Sequence, residues 1–558
     1  MPVSAKQAGF LVLALLVLLL GFYAVKLNAD FYRLHVPFFD SCSYTGQLAA
    51  IMAKARSEGL MAAAGDALHG NVALPWLEAA AVARFTAPSR ALGIWLQWPW
   101  LALLAFSLYW YFTQYRNLSP VFAVCFTLPF VSFARIFDWN GGLPDFRMDL
   151  SLYVFVSLAS VWYLITYETE SALPWFLSGC AAMLACIGRA TAPVYLGVMI
   201  GPLWLLRLWR APRGRRAVLL RNTGWMVLPV SVGLLFQVYN FHFLYFYYAV
   251  IEGDANRHLP LTQSAMHLIL AGSHLGVALA GASLAILALN LGRDIGKRLG
   301  LIDWTVLWLA LAPVLFLMIA GAGLNPFVSM PAVFGFLLFS YFPLRQPGMV
   351  PAGRIARWAV CVLLPGACLW NVVEARRPQL FTGADTTRMD GMKALVQRIN
   401  ADAAIHKRGE VRYIIPEIGE FHQCSFDNVL IYEYGGTPRN NGEIKLPSGP
   451  LYVFPGQVFF GASQPGDWDR DFPGKSDSAR MDTVTSMAIG TADYLLLPTG
   501  QALDFLEQHR SFNFINEKVR ELKRRLLATG LWVRLGDPVA ISPDESIEVY
   551  SRIANRRS

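Results

Sequence analysis

The sequence predicts a polytopic all-α membrane domain of about 11 transmembrane helices, followed by a C-terminal extracytoplasmic α/β domain. Three observations lead there. The 558 residues are 55% hydrophobic and 15% charged, where an average soluble protein carries roughly 25% charge. Mean hydropathy is +0.41, which excludes a disordered chain, a collagen and a soluble enzyme. Beyond about residue 373 the composition changes to that of a soluble domain.

The spans follow from bilayer thickness. A hydrocarbon core of about 30 Å takes about 20 apolar residues as helix. That ruler places spans near 8–28, 91–113, 119–137, 150–167, 172–187, 191–208, 217–248, 268–292, 303–323, 327–343 and 355–373. Lys6 precedes the first apolar run, which outlasts a signal-peptide core and meets no small-x-small cleavage site, so it reads as a retained helix. The fifth and sixth spans share one apolar stretch, broken by Gly188, Arg189 and Pro193. A tight hairpin is expected there. A single tilted helix would invert everything after it.

The charge balance supports the hairpin. Net charge is +9, and in a membrane protein excess Lys and Arg reads first as orientation, not as a nucleic-acid site. With the N-terminus inside, the cytoplasmic loops carry Arg116, the run Arg207 to Arg221, Arg293 to Arg298, and Arg345 to Arg357. The later outside loops carry only Arg189 and Arg257. An odd number of spans then leaves the C-terminal region outside.

The domains are expected as 1–373, a membrane domain with a long first outside loop at 31–90, and 374–558, a soluble domain. Within the loop, Gln47 to Ala55 and Leu60 to Leu68 read as interfacial helices. In the C-terminal part, Val411–Pro416, Val429–Tyr434, Leu451–Phe454 and Tyr494–Pro498 read as strands, and Met392–His406 and Asn513–Thr529 as helices. Of seven cysteines, only Cys42 and Cys424 fall outside the spans. They can pair in an oxidising compartment if the fold brings them together.

Charged groups at or near membrane depth are costly to keep, so their positions are informative. Asp40 lies just past the first span, before a helix; it reads either as an N-cap or as a carboxylate that deprotonates an acceptor hydroxyl. The loop Asp138-Trp-Asn-Gly-Gly-Leu-Pro-Asp-Phe-Arg-Met-Asp places Asp138, Asp145, Arg147 and Asp149 within a dozen residues. It reads as a solvated turn with Asp149 capping the fourth span. Alternatively, its oxygens hold a divalent cation such as Mg or Mn while Arg147 pairs with a phosphate. Arg189 is the single charge in a long apolar stretch, either snorkelling from the hairpin or contacting a phosphate bidentately. At the far end of the seventh span, aromatics surround His242, with Arg257 beyond it; an interfacial belt and a sugar-phosphate site both fit. There is no Walker A loop, Rossmann fingerprint, His-Glu-x-x-His or Gly-x-Ser-x-Gly. No nucleotide cofactor is expected.

This order of features resembles the GT-C superfamily of integral-membrane glycosyltransferases. The features are a first helix leading to Asp40, a long first loop with interfacial helices, a second acidic loop ending at Asp149, a short helix pair turning at Arg189, and a soluble final domain. The resemblance covers the topology of about residues 1–373. It implies transfer of one sugar, a hexose or a pentose such as arabinose, from a polyprenyl phosphate, with inversion. The acceptor would be an extracytoplasmic glycan, lipid or protein such as a pilin, reached from the inner membrane of a bacterium. Asp40 and Asp149 would then be catalytic, with Asp138, Asp145 and Asp149 as the metal set. Arg147, Arg189, His242 and Arg257 would bind the donor's phosphate and sugar. Two departures stand out: Ser41 follows Asp40 where many members carry a second acid, and the Trp-Trp-Asp signature of oligosaccharyltransferases is missing. The rival readings are a lipid-linked glycan ligase or polymerase, and a transporter or flippase. No internal repeat supports the transporter.

Overall fold

The computed structural model describes residues 4–34, 39–69, 72–137, 142–143, 146, 149–241, 301–320, 330–339, 366, 370, 383–415, 423–439, 442–455, 476–500, 511–541 and 545–553. The chain forms two compact units. The first contains residues 1–28, 61–81 and 91–378, and the second contains 29–60, 82–90 and 379–558. The long first loop is therefore divided between the two.

The first unit is helical. Its described helices are α1 (Ala5–Leu34), whose last turns enter the second unit, α3 (Leu60–Leu68), α4 (Leu74–Val82), α5 (Arg90–Trp110), α6 (Pro120–Thr127), α7 (Pro129–Ser132), α8 (Asp149–Ile165), α9 (Ala172–Gly188), α10 (Ala192–Arg210), α11 (Arg213–Tyr239), α12 (Leu301–Ala320) and α13 (Met330–Phe339). A single π turn, Tyr111–Tyr115, extends α5. Among the described residues, Ala5–Arg33, Arg90–Tyr115, Ala192–Arg210 and Arg213–Tyr239 are long and apolar enough to cross a membrane. Four shorter apolar helices accompany them, and the chain is a multi-pass membrane protein. The expected spans at 268–292 and 355–373 lie outside the described residues, apart from isolated positions.

Two features differ from a simple run of spans. The third expected span, 119–137, is broken: α6 stops at Thr127 and α7 restarts at Pro129. Proline lacks the N–H that would continue the ladder, so a helix restarts where proline occupies its first position. The fifth and sixth spans are separate helices. Helix α9 ends at Gly188, Arg189 is extended at φ −158°, and α10 starts with Pro193 in its first turn. Helices α9 and α11 approach closely through glycine: a Cβ on Gly179 would collide with the Met226 carbonyl oxygen.

The second unit is a mixed sheet between helical layers. Its strands are β1 (Glu410–Ile414), β2 (Thr437–Pro438), β3 (Ile444–Lys445), β4 (Leu451–Val453), β5 (Tyr494–Gly500), β6 (Trp532–Arg534), β7 (Val539–Ala540) and β8 (Glu545–Arg552). The order is β2-β3-β4-β1-β5-β8-β6, with β7 also on β8; β1 pairs parallel with β4 and β5, and the other pairings are antiparallel. Alternation along β5 sends Tyr494 and Leu496 into one core and Leu495 and Leu497 into the other. The first core takes Leu395, Val396 and Ile399 of α14 (Gly383–Ile405) and Phe426 and Val429 of α15 (Gln423–Tyr432). The second takes Val484 of α16 (Asp477–Thr491) and Leu522 and Leu526 of α17 (Ser511–Ala528). Helix α2 (Phe39–Ser57) belongs to this unit and adds Ala49 to the first core.

One expected strand is a helix. Val429–Tyr434 falls largely within the end of α15. Phe426, Val429 and Leu430 are all fully buried, a spacing of three and four that belongs to one helical face. Read from Val429 alone, the apolar run imitates a short buried strand.

Candidate functional site

The best-defined polar feature of the first unit lies where α8 begins and α9 ends. Asp149 is the first residue of α8, where the helix dipole favours a negative charge. The rest of that helix is almost wholly buried, which fixes its start. Arg189 follows the last residue of α9, in the short break before α10. Its Nη2 lies 3.0 Å from Asp149 Oδ1, an ion-pair contact without the angle of a hydrogen bond. Asp149 is 2% exposed and Arg189 6%. Removing one partner of such a pair strands a buried charge, at about 3–5 kcal/mol. Among the described residues, neither Asp149 Oδ1 nor Thr191 Oγ1 has a hydrogen-bond partner, and both atoms are buried. Buried polar groups are normally satisfied, so these two atoms have capacity for a further donor.

Helix α4 is fixed against the same corner. The Ala73 N–H donates to the Ile187 carbonyl at 2.9 Å. Leu74 reaches the bare face of Gly188, and so does Ser151 of α8. Trp76 is buried edge-to-face on Phe146, 6.0 Å between ring centroids. Phe146 has φ +52° and its ring fills the space a side chain at Gly93 would need. Farther along α4, Glu78 accepts from the Trp100 indole, and burial pushes its carboxyl up to about 7. A carboxyl poised near neutrality suits proton transfer. Sequence reasoning passed over Glu78; the available signal was one acid in the otherwise apolar Leu-Pro-Trp-Leu-Glu-Ala-Ala-Ala-Val.

The structure brings together two of the predicted site residues, Asp149 and Arg189. Asp40 is the second residue of α2, in the second unit. Asp138, Asp145, Arg147, His242 and Arg257 lie outside the described residues. The end of α11, just before His242, is tied to α3: Asn240 Nδ2 donates to the Leu68 carbonyl at 3.2 Å, and the Tyr239 hydroxyl lies 3.1 Å from His69 Nε2. Among the described residues no three His, Cys, Asp or Glu side chains gather into a metal-binding group. Asp149, with a guanidinium against one oxygen, does not by itself make a cation site.

No family model matches the chain, and no curated protein matches it. Solved structures do. ArnT from Cupriavidus metallidurans bound to undecaprenyl phosphate is similar at 12% identity and TM-score 0.53, over 96% of this chain and 97% of that one. The same protein in its apo state gives 13% identity and TM-score 0.51, with 97% of each chain covered. Arabinofuranosyltransferase AftD from Mycobacteria gives 16% identity and TM-score 0.46, over 96% of this chain; this chain spans 40% of the length of that one. By its likeness to ArnT along nearly the whole length of both chains, the protein has the fold of the GT-C membrane glycosyltransferases.

Proposed function

We propose that the chain is a membrane glycosyltransferase. It moves a single sugar from a polyprenyl phosphate to a hydroxyl of an extracytoplasmic glycan, lipid or protein. The sugar is a hexose or a pentose such as arabinose. The observation that carries the reading is the buried Arg189–Asp149 pair with its unsatisfied acceptors, in a fold shared with a protein captured holding undecaprenyl phosphate.

The chemistry is balanced. The acceptor oxygen attacks the anomeric carbon from the face opposite the phosphate, and the bond from that carbon to the phosphate oxygen breaks. Asp40 takes the acceptor proton, and the polyprenyl phosphate leaves as an anion. A fixed positive charge is worth most where that anion develops, in a site shielded from water. Arg189 supplies it, with Asp149 holding the guanidinium in place. In this reading the chain lies in a bacterial cytoplasmic membrane, its N-terminus inside and its C-terminal unit outside. Asp138, Asp145 and Asp149 are the residues proposed to hold a divalent cation; no step above depends on it.

The test is transfer of radiolabelled sugar by membranes carrying wild type or Asp40→Asn, offered a panel of polyprenyl-phosphate sugars with and without EDTA. The reading expects transfer from at least one donor and its loss in the variant. Sensitivity to EDTA would assign the cation. Wild-type membranes that consume no donor would contradict the reading.

A further inference from the structure

Helix α2 is fastened to α15 by polar contacts centred on one asparagine. Asn428 Nδ2 donates to the Cys42 carbonyl at 2.9 Å and to the Cys424 carbonyl at 3.0 Å. The same nitrogen lies 3.3 Å from Cys42 Sγ. Asn428 Oδ1 accepts from the Thr45 hydroxyl at 2.7 Å, and the Tyr432 hydroxyl donates to the Thr45 carbonyl at 2.8 Å. These contacts hold Cys42 against the first turn of α15, where Cys424 resides. The Cys42 thiol donates to the Ser425 hydroxyl at 3.9 Å, beside Cys424 in the same turn of α15. Cys42 is fully buried and Cys424 half-buried.

We infer that Cys42 and Cys424 are the partners of a disulfide bond that joins the first loop to the C-terminal part of the second unit. Their positions are 382 residues apart in sequence, the difference 424 − 42, yet the fold makes them neighbours. The other described cysteines, Cys125, Cys180 and Cys186, belong to the first unit. The oxidant is a protein disulfide on the oxidising side of the membrane, which is the side the proposed orientation assigns to this unit. Cys424, the more accessible thiol, attacks that disulfide, forms a mixed disulfide and releases one donor thiol. Cys42 then attacks the Cys424 sulfur and releases the second. Two cysteine sulfurs are oxidised, the donor disulfide is reduced to two thiols, and the protons leave with the donor. Burial holds the Cys42 thiol well above its ordinary range, so its attack needs a nearby acceptor for the proton. The donor thiolate released in the first step takes that proton.

The bond has a consequence for the proposed chemistry, because Asp40 is two residues before Cys42 in the first turn of the same helix. A covalent anchor there limits where the start of α2, and with it Asp40, can move.

The test is peptide mapping of the full-length protein purified from native membranes, with free thiols blocked by N-ethylmaleimide at lysis and digestion without reductant. A linked peptide containing Cys42 and Cys424, lighter by two hydrogens than its separated halves, is the expected result. Cys125, Cys180 and Cys186 should carry the block after denaturation. Recovery of Cys42 and Cys424 as two blocked peptides would overturn the inference, whatever the sugar-transfer assay shows. Reductant should also lower the unfolding temperature of wild type by roughly 5–15 °C. Cys42→Ser/Cys424→Ser should start at the lower temperature and not respond to reductant. A wild type equally stable with and without reductant would count against the bond.

Discussion

Two buried polar clusters, one in each unit, are built in opposite ways. In the first unit Arg189 and Asp149 are full charges 3.0 Å apart, with acceptors left unsatisfied around them. In the second, Thr45, Asn428, Tyr432 and the two cysteines are neutral, and the asparagine has both ends of its amide engaged. A satisfied neutral network fixes structure at low electrostatic cost. A charged pair is expensive to bury, and removing either partner strands the other charge. In the proposed reading, the first cluster serves the reaction and the second holds the unit together.

Substitutions can break that contrast, and the charged cluster should respond most. Arg189→Leu leaves the Asp149 carboxylate buried without its cation, and should cost about 3–5 kcal/mol of stability. The double change Arg189→Leu/Asp149→Leu should recover most of the loss, as read by thermal unfolding in detergent. If the single change is tolerated as well as the double one, the pair is not buried as described.

The neutral cluster should show a smaller effect. Asn428→Ala removes donors to two carbonyls and the acceptor of the Thr45 hydroxyl at once. The expected cost is about 1–3 kcal/mol. Gly179→Ala probes packing instead: the new methyl meets the Met226 backbone, with an expected loss of about 1–3 kcal/mol as α9 moves off α11.

A pH series sharpens the comparison further. Burial raises the Asp427 carboxyl from 3.8 to about 7. The folded state therefore holds a proton that the unfolded chain has released, so stability falls as pH rises from about 4 to about 7 and levels off above. Asp427→Asn should flatten that slope in thermal unfolding of the full chain. An unchanged slope would place its origin elsewhere. The smallest effect belongs to the surface pair of half-buried Lys54 and exposed Glu58, at 3.8 Å. Glu58→Gln should change stability by less than about 1 kcal/mol.

How much of this could be read from the sequence depended on which physical rule each feature obeys. Long apolar helices such as α1 and α11 follow from composition and bilayer thickness alone. The break between α9 and α10 was legible because glycine, arginine and proline cluster there. The partition of the first loop between two units was not, because an Ala-rich helix such as α2 carries no mark of its packing partner. The α15 residues from Val429 were misread because an apolar run of a few residues fits either period, and Phe426 had to be counted to decide. Asp149 and Arg189 were each singled out by the cost of their charge. Their pairing needs the three-dimensional approach of two helix ends. Glu78 was overlooked because a lone glutamate in a short helix looks like surface until its burial is known.

The most direct test of the central claim is sugar transfer by the isosteric variant Asp149→Asn. The variant and wild type would be purified in the same detergent, each shown to be monodisperse, and given the same polyprenyl-phosphate donor. The account predicts at least about a 100-fold loss of turnover, with the donor still bound, because the carboxylate that orients Arg189 is gone while the shape is kept. Turnover equal to wild type would contradict it and return Asp149 to the role of a helix cap.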